Sequence, residues 1–547
     1  MVRKAFEKIT AKIDGLHKAV FWLASFSVLS QILAFLRDRL LAFYFGAGES
    51  LDIYYTAFRI PDFIFVTFGS LVSISVLVPL FSKKAVADSG GIKPYIDSIF
   101  TNFFILIVSS CVVAFIFMPE LVHFLFRGFS AEDLAQIIKF SRILLLSPLL
   151  LGFSNFFGSI VQYEKRFLLY SLSPLFYNFG IIIGTVFGAK QFGIIAVVGG
   201  VVFGALFHLL IPAVYVACSK NFPKFTTNIN QPEVKETVLI SIPRALALSV
   251  TQIINIIFTS IASFFGSGAI AVFSLASNLQ SVPLSIIGAS YSLAAFPTIS
   301  EHYARKNITE CGKHIGESLR FMIFWLLPIS ALFIILRTHI VRTVLGSGAF
   351  DWTDTKLTAA VLSIFALSFV FQSIQLFLTR AHYALGRTKI PLLWGISGVI
   401  VTVFFAFAFR FGFFANLISF MEKILEIKGL VGSKIIILPA AFSIGTLVTA
   451  LGLWSSLPKE IRKIAGEDLP KTVFSILINS LIIGFVTFYS LRIFDHFFAL
   501  HSLISVFGHA FFSGMIGIFC GVGFLLLSKN REAEEIISKF RRKLKHE

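Results

Sequence analysis

Charged residues and catalytic motifs are both scarce in this sequence. Only 14% of its 547 residues are charged, against about 25% in a typical soluble domain, and 56% are hydrophobic. So much apolar surface does not fit inside a water-soluble core, because single cores stop growing beyond roughly 250–300 residues. With a mean hydropathy of +0.86, the composition excludes a soluble enzyme and a disordered chain. The sequence therefore predicts a polytopic membrane protein.

Cysteine is scarce too, and the four that occur lie far apart. Cys111, Cys218, Cys311 and Cys520 have neither the spacing of metal ligands nor that of a disulfide framework. The chain has no Walker loop ending in Gly-Lys-Ser/Thr, no GxSxG elbow and no HExxH pair. We therefore expect no enzyme, no ATP-driven pump, no cofactor and no metal. Transport would draw its energy from a Na⁺ or H⁺ gradient or from the membrane potential.

Long apolar runs make up most of the chain. About 20 apolar residues span the hydrocarbon layer, and this length divides the sequence into candidate transmembrane helices. Fourteen of them lie near residues 20–45, 60–82, 97–118, 136–160, 167–188, 192–218, 237–263, 269–298, 319–336, 357–379, 390–410, 433–457, 472–491 and 503–528. The predicted fold class is an all-α integral membrane protein with about 14 transmembrane helices.

Basic residues exceed acidic ones and give a formal net charge of +18. Most of them lie in short segments between the apolar runs, as in the cytoplasmic loops of membrane proteins. This pattern indicates orientation rather than nucleic-acid binding, and we expect both termini in the cytoplasm. The basic amino terminus covers 1–19. The basic tail at 529–547 is predicted to be either an amphipathic helix on the anionic inner leaflet or a solubilising segment.

An internal repeat organises the predicted helices. Ser-Val-Leu-Ser-Gln-Ile at 27–32 matches Ser-Val-Thr-Gln-Ile at 249–253, and Phe-Gly-Ala-Gly at 45–48 matches Phe-Gly-Ser-Gly at 265–268. Both offsets are about 220 residues with six helices in each repeat, so the two halves enter the membrane from the same side. The predicted architecture has two pseudo-symmetric six-helix lobes and two C-terminal helices, at 20–218, 237–457 and 472–528.

Glycine recurs at every fourth position of the fifth predicted helix, at Gly180, Gly184 and Gly188, and the sixth contains Gly-Gly-Val-Val-Phe-Gly at 199–204. Small residues at this spacing let two helix backbones approach closely in lipid. We interpret the pattern as helix packing rather than as a dinucleotide-binding loop.

Charged side chains inside the predicted helices are the main candidates for function. Placing Arg or Asp at a helix centre costs about 2.5–3.5 kcal/mol on insertion scales, so such residues usually face a cavity or a partner. The first helix contains Arg37 and Asp38, the second begins with Arg59 and Asp62, and the seventh carries Arg244. We interpret Arg37 and Asp38 as a cavity-facing pair. For Arg244, a cavity position and a snorkelling position are equally compatible with the sequence.

Other polar residues in the helices carry less information. Gln252 and Asn255 follow Arg244 on the seventh helix. Arg142 and Arg380 lie at helix ends, where an arginine normally snorkels to the lipid headgroups. We therefore assign no binding role to these two arginines.

The segment 35–63, FLRDRLLAFYFGAGESLDIYYTAFRIPDF, resembles the signature of the MurJ/MviN family of lipid II flippases. The resemblance continues through 241–300 and 381–391 and covers essentially the whole chain. It implies the fold of the multidrug/oligosaccharidyl-lipid/polysaccharide exporter (MOP) superfamily, with two lobes around a central cavity and alternating access. The implied substrate is lipid II, the undecaprenyl-pyrophosphate-linked peptidoglycan precursor, moved from the inner to the outer leaflet of the bacterial plasma membrane. The helices at 472–528 would form a groove for its lipid tail.

The resemblance also implies which residues bind the substrate. Arg37, Asp38, Asp52 and Arg59 match family positions, and Asn255 lies where some relatives have an ionisable residue linked to sodium. The family usually has arginines where Gln31, Phe65 and Asn278 stand, and since arginine binds phosphate through bidentate charge-assisted bonds, weaker diphosphate binding is implied. The expected substrate-binding set is Arg37, Asp38, Arg59, Arg244, Asp52, Asp62, Gln31, Gln252 and Asn278, with Asn255 as a candidate ion ligand.

Three functions are compatible with these residues. The first is a lipid II flippase in which Arg37 and Arg59 attract the diphosphate. The second is an exporter of the same superfamily for another lipid-linked oligosaccharide or a drug, and the third is a transport-inactive cell-wall scaffold. The expected partners are lipid II or a similar polyprenyl-diphosphate glycan, the lipid bilayer and cell-wall synthesis proteins, with no nucleic acid.

Overall fold

The computed structural model describes residues 16–87, 92–228, 232–496, 502–535 and 538. Most of the predicted amino-terminal segment and the tail from 539 onward lie outside the described residues, and so does the side chain of Arg244. The regular structure of the described ranges is helical and contains no strand.

The chain divides into two compact units, Met1–Ala271 with Gly348–Phe350, and Val272–Ser347 with Asp351–Glu547. The helices of the first unit are α1 (Leu16–Phe45), α2 (Glu49–Ala57), α3 (Arg59–Gly69), α4 (Ile74–Ala87), α5 (Lys93–Ile116), α6 (Met118–Leu125), α7 (Ala131–Leu144), α8 (Leu146–Tyr163), α9 (Phe167–Ile183), α10 (Ala189–Phe192), α11 (Ile194–Ala217) and α12 (Pro232–Ala262). Helix α13 (Ala269–Pro283) begins in the first unit and continues into the second. The second unit then contains α14 (Ser290–Ala304), α15 (Ile308–Ile335), α16 (Arg337–Val344), α17 (Trp352–Leu367), α18 (Phe369–Ala384), α19 (Lys389–Arg410), α20 (Ala415–Ile424), α21 (Ile437–Ser455), α22 (Lys459–Gly466), α23 (Leu469–Phe494) and α24 (Leu503–Leu527).

The helices account for the predicted transmembrane spans. In the described part of the chain, 11 helices are long and apolar enough to cross a membrane, or 12 when the bent pair α17–α18 is counted as one span. Helices α1 and α12, with 30 and 31 residues, overlap the predicted first and seventh spans. The described helices therefore accommodate all fourteen spans, and the all-α membrane class is confirmed.

The second span differs from the single helix predicted at 60–82. It starts at Glu49 and consists of α2, α3, a 3₁₀ turn at Ser70–Val72 and α4. Glu49 and Asp52 lie in the first turn of α2, where the helix dipole stabilises carboxylates, which explains the early start. As a result, Arg59 lies inside the span rather than at its end.

Three further spans are interrupted. A π-helical turn occupies Gly184–Gly188 after α9, and another occupies Leu284–Ala289 after α13. Helices α17 and α18 meet at a 47° bend around Ser368. Apolar periodicity contains no signal for such breaks, because the residues on both sides of each break remain apolar.

The glycines of α9 and α11 bring the two backbones into contact. A methyl group on Gly180 would lie 2.3 Å from the Gly204 Cα, and one on Gly184 would lie 2.7 Å from the Gly200 Cα. The interpretation of this motif as helix packing is confirmed. The pair α19–α21, at the corresponding place of the predicted second repeat, packs in a similar way through Gly398 and Gly445.

A histidine pair joins α16 to α24 in the second unit. His509 Nε2 lies 3.0 Å from the Leu491 carbonyl and must donate to it, so His509 Nδ1 accepts a hydrogen bond from His339 Nε2 at 2.9 Å. The remaining nitrogen of His339, Nδ1, is buried and makes no hydrogen bond to the described residues. Burial, with a smaller contribution from His509, lowers the pKa of His339 to about 4.

Replacing Gly180 with Ala should destabilise the protein, because the added methyl collides with the backbone of α11. Gly199→Ala on the same helix pair is the matched control, since nothing lies within 4 Å of the added methyl. Thermal unfolding in detergent should show a lower Tm for G180A and no loss for G199A. Equal Tm values for the two variants would contradict the packing role.

Acid should weaken the His339 contact. The unfolded chain binds a proton at His339 near pH 6.5, whereas the folded protein binds it only near pH 4, so this contribution to stability is complete above pH 6.5 and is lost as the pH falls towards 4. His339→Gln retains a donor for His509 and cannot titrate. The Tm advantage of the wild type over H339Q should therefore shrink between pH 7 and pH 4.5. The exposed His496→Gln should keep the wild-type pH profile, and an unchanged difference for H339Q would refute the assignment.

Candidate functional site

Arg37 and Asp38 form an ion pair on α1. Arg37 Nε and Nη2 both donate to Asp38 Oδ1, at 2.9 and 2.8 Å, so Asp38 fixes the orientation of the guanidinium. The side chain of Asp38 is 5% exposed and that of Arg37 is 20% exposed. The pairing offsets part of the free energy of placing each charge in a medium of low dielectric constant.

Asn178 on α9 binds the same guanidinium. Arg37 Nη1 donates to Asn178 Oδ1 at 3.0 Å, and Asn178 Nδ2 donates to Ser30 Oγ at 3.4 Å and to the Pro174 carbonyl at 3.3 Å. These bonds turn the amide oxygen of Asn178 towards the arginine. Asn178 is not among the site residues predicted from the sequence. The available signal was a single amide side chain in the apolar run of α9.

Arg59 and Asp62 lie one helical turn apart on α3. Arg59 Nε donates to Thr259 Oγ1 of α12 at 2.7 Å. Asp62 is half-buried, and its carboxylate makes no hydrogen bond or ion pair to any residue in the described ranges. The spacing of three residues places both side chains on the same face of α3, where Arg59 acts electrostatically on Asp62.

Two tyrosines connect these pairs. Tyr55 of α2 lies within electrostatic reach of Arg37, Asp38 and Arg59, and Tyr177 of α9 lies within reach of Arg37 and Asp62. The four ionisable groups, Arg37, Asp38, Arg59 and Asp62, thus form one group in the first unit, which we call the charged cluster. Two arginines and two aspartates give it a formal charge of zero.

The charged cluster lies deep in the helices. Arg37 precedes the end of α1 at Phe45 by eight residues, about 12 Å along the axis. Arg59 follows the start of α2 at Glu49 by ten residues, about 15 Å. Since the hydrocarbon layer is about 30 Å thick, both positions are far from either surface if the helices cross the membrane at a small tilt.

Asp52 has a different environment. Its buried carboxylate accepts the N–H of Gly268 at Oδ2, at 2.6 Å, and the N–H of Ala271 at Oδ1, at 2.7 Å. These N–H groups belong to the start of α13, where backbone donors lack partners within the helix. Because both oxygens are bound by the protein, we interpret Asp52 as a helix cap, and this geometry gives no support to the predicted role in substrate binding.

Helix α12 is hydrogen-bonded to the second and third spans along much of its length. Besides the bond from Arg59, Ser249 Oγ lies 2.7 Å from Thr67 Oγ1, Ser241 Oγ donates to the Leu71 carbonyl at 3.3 Å, and Thr237 Oγ1 lies 2.6 Å from Tyr95 Oη. An exposed ion pair of Lys83 with Glu236 follows at 2.8 Å. The seventh span therefore belongs to the first compact unit, whereas the repeat in the sequence predicts a second lobe that begins at 237.

The remaining predicted residues are not brought into the charged cluster by any described contact. Gln31 is half-buried on α1, and Gln252 accepts a long hydrogen bond of 3.5 Å from Asn255 on α12. Asn278 lies on α13 in the second unit. The side chain of Arg244 is outside the described residues, so its predicted role stays a prediction.

The remaining expectations concern metal binding and the arginine at the end of α7. Among the described residues, no group of three or more His, Cys, Asp or Glu side chains is placed to hold a metal ion. Arg142 donates to the Phe115 carbonyl at 3.1 Å and stacks on the Phe115 ring at the end of α7, which agrees with the snorkelling interpretation.

The chain is similar to known proteins in sequence and in fold. The chain is similar to the probable lipid II flippase MurJ of Rhizobium tropici, with 26% identity over 387 residues that cover 68% of this chain and 71% of the relative. A solved structure titled lipid II flippase MurJ, inward closed conformation, matches with a TM-score of 0.73 and 23% identity, covering 94% of this chain and 99% of that chain. An inward-facing multidrug resistance MATE family transporter of the MOP superfamily matches with a TM-score of 0.62 and 16% identity over 77% of this chain and 92% of its own.

These likenesses carry different weight. At such identities, the structural matches show the fold alone, a multi-pass helical membrane transporter fold. The curated relatives are named flippases, which are transporters and not enzymes. The family described as lipid II flippase MurJ matches residues 41–508, which is most of the chain, so this chain belongs to the MurJ family.

Proposed function

We propose that this protein translocates lipid II from the inner to the outer leaflet of the bacterial plasma membrane. The observation that carries the proposal is the charged cluster, which places two oriented arginines deep in the helices of a MurJ-family chain. Relatives in the comparisons are named probable lipid II flippases. Both termini would lie in the cytoplasm, as the distribution of basic residues predicts.

The diphosphate of the lipid would bind to Arg37 and Arg59. Two of the five N–H groups of Arg37 make no bond to the described residues and can donate to phosphate oxygens. Asp38 and Asn178 hold the guanidinium in one orientation, so little side-chain freedom is lost when the headgroup binds. Gln31 and Gln252 would contact the uncharged part of the headgroup.

The lipid tail would remain in the bilayer along α23 and α24. Both helices present large apolar side chains that are more than 60% exposed, including Phe474, Leu481, Phe485, Ile504 and Phe519. Such side chains are suited to contact with a polyprenyl chain as well as with membrane lipid. The headgroup would change sides by alternating access of the two predicted lobes, driven by an ion gradient or the membrane potential. Cell-wall synthesis proteins would act on the delivered lipid.

A second candidate substrate is another polyprenyl-linked saccharide. Gln31, Phe65 and Asn278 are uncharged where the family usually has arginines, and the charged cluster has no net charge. A headgroup with less negative charge than a diphosphate would suit such a site. A flux assay that compares lipid II with a polyprenyl-monophosphate sugar distinguishes the two substrates.

Replacing Arg37 with Ala should lower lipid II translocation in proteoliposomes at least about 100-fold, because two charge-assisted bonds to phosphate, each worth about 1.5–3 kcal/mol, are lost. Arg142→Ala, at a helix end, is the matched control and should retain the wild-type rate. Unchanged flux in a folded R37A variant would remove Arg37 from the mechanism.

Replacing Asn178 with Ala should slow translocation about five- to tenfold, because the guanidinium of Arg37 loses one hydrogen bond of about 1 kcal/mol that fixes its orientation. The control is Asn102→Ala, since the Asn102 amide bonds the Ser98 carbonyl of its own helix. The same proteoliposome assay gives the rates. A wild-type rate for N178A would show that Asn178 does not position Arg37.

A further inference from the structure

The two aspartates of the charged cluster differ in their environment. Asp38 is 5% exposed and accepts two hydrogen bonds from Arg37, so its negative charge is fully engaged. Asp62 is half-buried and accepts no hydrogen bond from any residue in the described part of the chain. A carboxyl group without donors around it can exchange a proton without breaking a protein hydrogen bond.

In the described part of the chain, few charged or titratable groups surround Asp62. Arg59 acts on it from its own helix, and Tyr177 of α9 lies within electrostatic reach. Helix α12 contributes the Thr259 hydroxyl beside Arg59, and α2 contributes Tyr55. Among the described residues, α5, α7 and α8 place no charged side chain within electrostatic reach of Asp62.

Charge balance explains what a proton on Asp62 would do. A diphosphate diester carries one negative charge on each phosphorus, and both are ionised at neutral pH. The charged cluster has no net charge to compensate them, and the Asp62 carboxylate repels them. One proton on Asp62 removes that repulsion and gives the cluster a formal charge of +1, while the Arg37–Asp38 pair remains intact.

We propose that Asp62 takes up one proton when a diphosphate headgroup binds the charged cluster, so that headgroup binding and protonation of this carboxyl strengthen each other. This inference rests on the proposed function of the cluster. Linkage requires that each event increases the affinity for the other by the same factor. Loss of the proton restores the negative charge of Asp62 and weakens binding, which lets the headgroup leave.

Among the described residues, His208 on α11 is a further ionisable group beside Tyr177. Ser154 Oγ donates to the His208 carbonyl at 2.8 Å, so His208 Nδ1 is the donor in the 2.7 Å contact with Ser154 Oγ, and Nε2 carries the lone pair. The imidazole faces the Tyr177 ring at 6.4 Å. Because Tyr177 also lies within electrostatic reach of Asp62, His208 is the competing site for the proton, and a His208 variant distinguishes the two.

The test measures binding of lipid II with a shortened, water-soluble prenyl chain to the detergent-purified full-length protein. This probe is a diphosphate diester without an ionisable group near neutral pH, so the pH dependence of binding belongs to the protein. Titration calorimetry in two buffers of different ionisation enthalpy should give uptake of about one proton per headgroup for the wild type. The wild-type Kd should rise by up to tenfold per pH unit over the range where Asp62 loses its proton.

Asp62→Asn imitates the protonated carboxyl. It should bind the probe without proton uptake, with a pH-independent Kd equal to the low-pH value of the wild type. Glu460→Gln, an exposed carboxyl on α22, should behave as the wild type. Because the proton count is also measured on the wild type, the test stands even where D62N fails to fold.

Three outcomes overturn the inference. Binding by the wild type without proton uptake refutes it and leaves the proposed function intact. Proton uptake that persists in D62N and disappears in His208→Gln assigns the proton to His208 instead. No binding of the probe by the wild type at any pH rejects the proposed function itself, together with this inference.

Discussion

Compensation of the Arg37 charge inside the membrane is the interaction on which the first unit depends. An isolated guanidinium at this depth is unfavourable, and its neighbours Asp38 and Asn178 provide a counter-charge and a hydrogen-bond acceptor. Asn178 brings α9 to α1, and the glycines of α9 in turn allow α11 to pack against it. The packing of α1, α9 and α11 thus depends on the buried charge of Arg37 and on the glycines of α9.

A second buried arginine links the seventh span to the same unit. Arg59 binds Thr259, and a series of hydroxyl contacts continues along α12 towards Lys83 and Glu236. Each contact is weak, since hydrogen bonds between side chains contribute about 0.5–1.5 kcal/mol. Together they run along most of the helix, which explains why contacts group α12 with the first six spans although the repeat assigns it to the second half.

The charged cluster combines opposite requirements. Arginines attract an anionic headgroup, but uncompensated arginines in lipid would destabilise the fold, so two aspartates accompany them. Neutrality makes the cluster stable without a ligand and reduces its attraction for a diphosphate. The different environments of Asp38 and Asp62 resolve this conflict, because one carboxylate can remain ionised for the fold while the other responds to the ligand.

The fold class, the number of spans and the family follow from the sequence alone, and so does the position of the Arg37–Asp38 pair inside the first span, since apolar length and rare charges inside apolar runs are local properties of the chain. The depth of Arg59 does not, because the second span starts earlier than its apolar run. The early start of the second span at Glu49 and the bend at Ser368 were not predicted, because neither follows from hydropathy. Asp38, Asp52 and Asp62 are the same residue type, so residue type alone does not distinguish their roles. The pairing of Asp38 with Arg37 is already visible in the sequence, because the two residues are adjacent. Only the tertiary structure distinguishes Asp52, which binds the N–H groups of Gly268 and Ala271 on another helix, from Asp62, which accepts no hydrogen bond from the described residues.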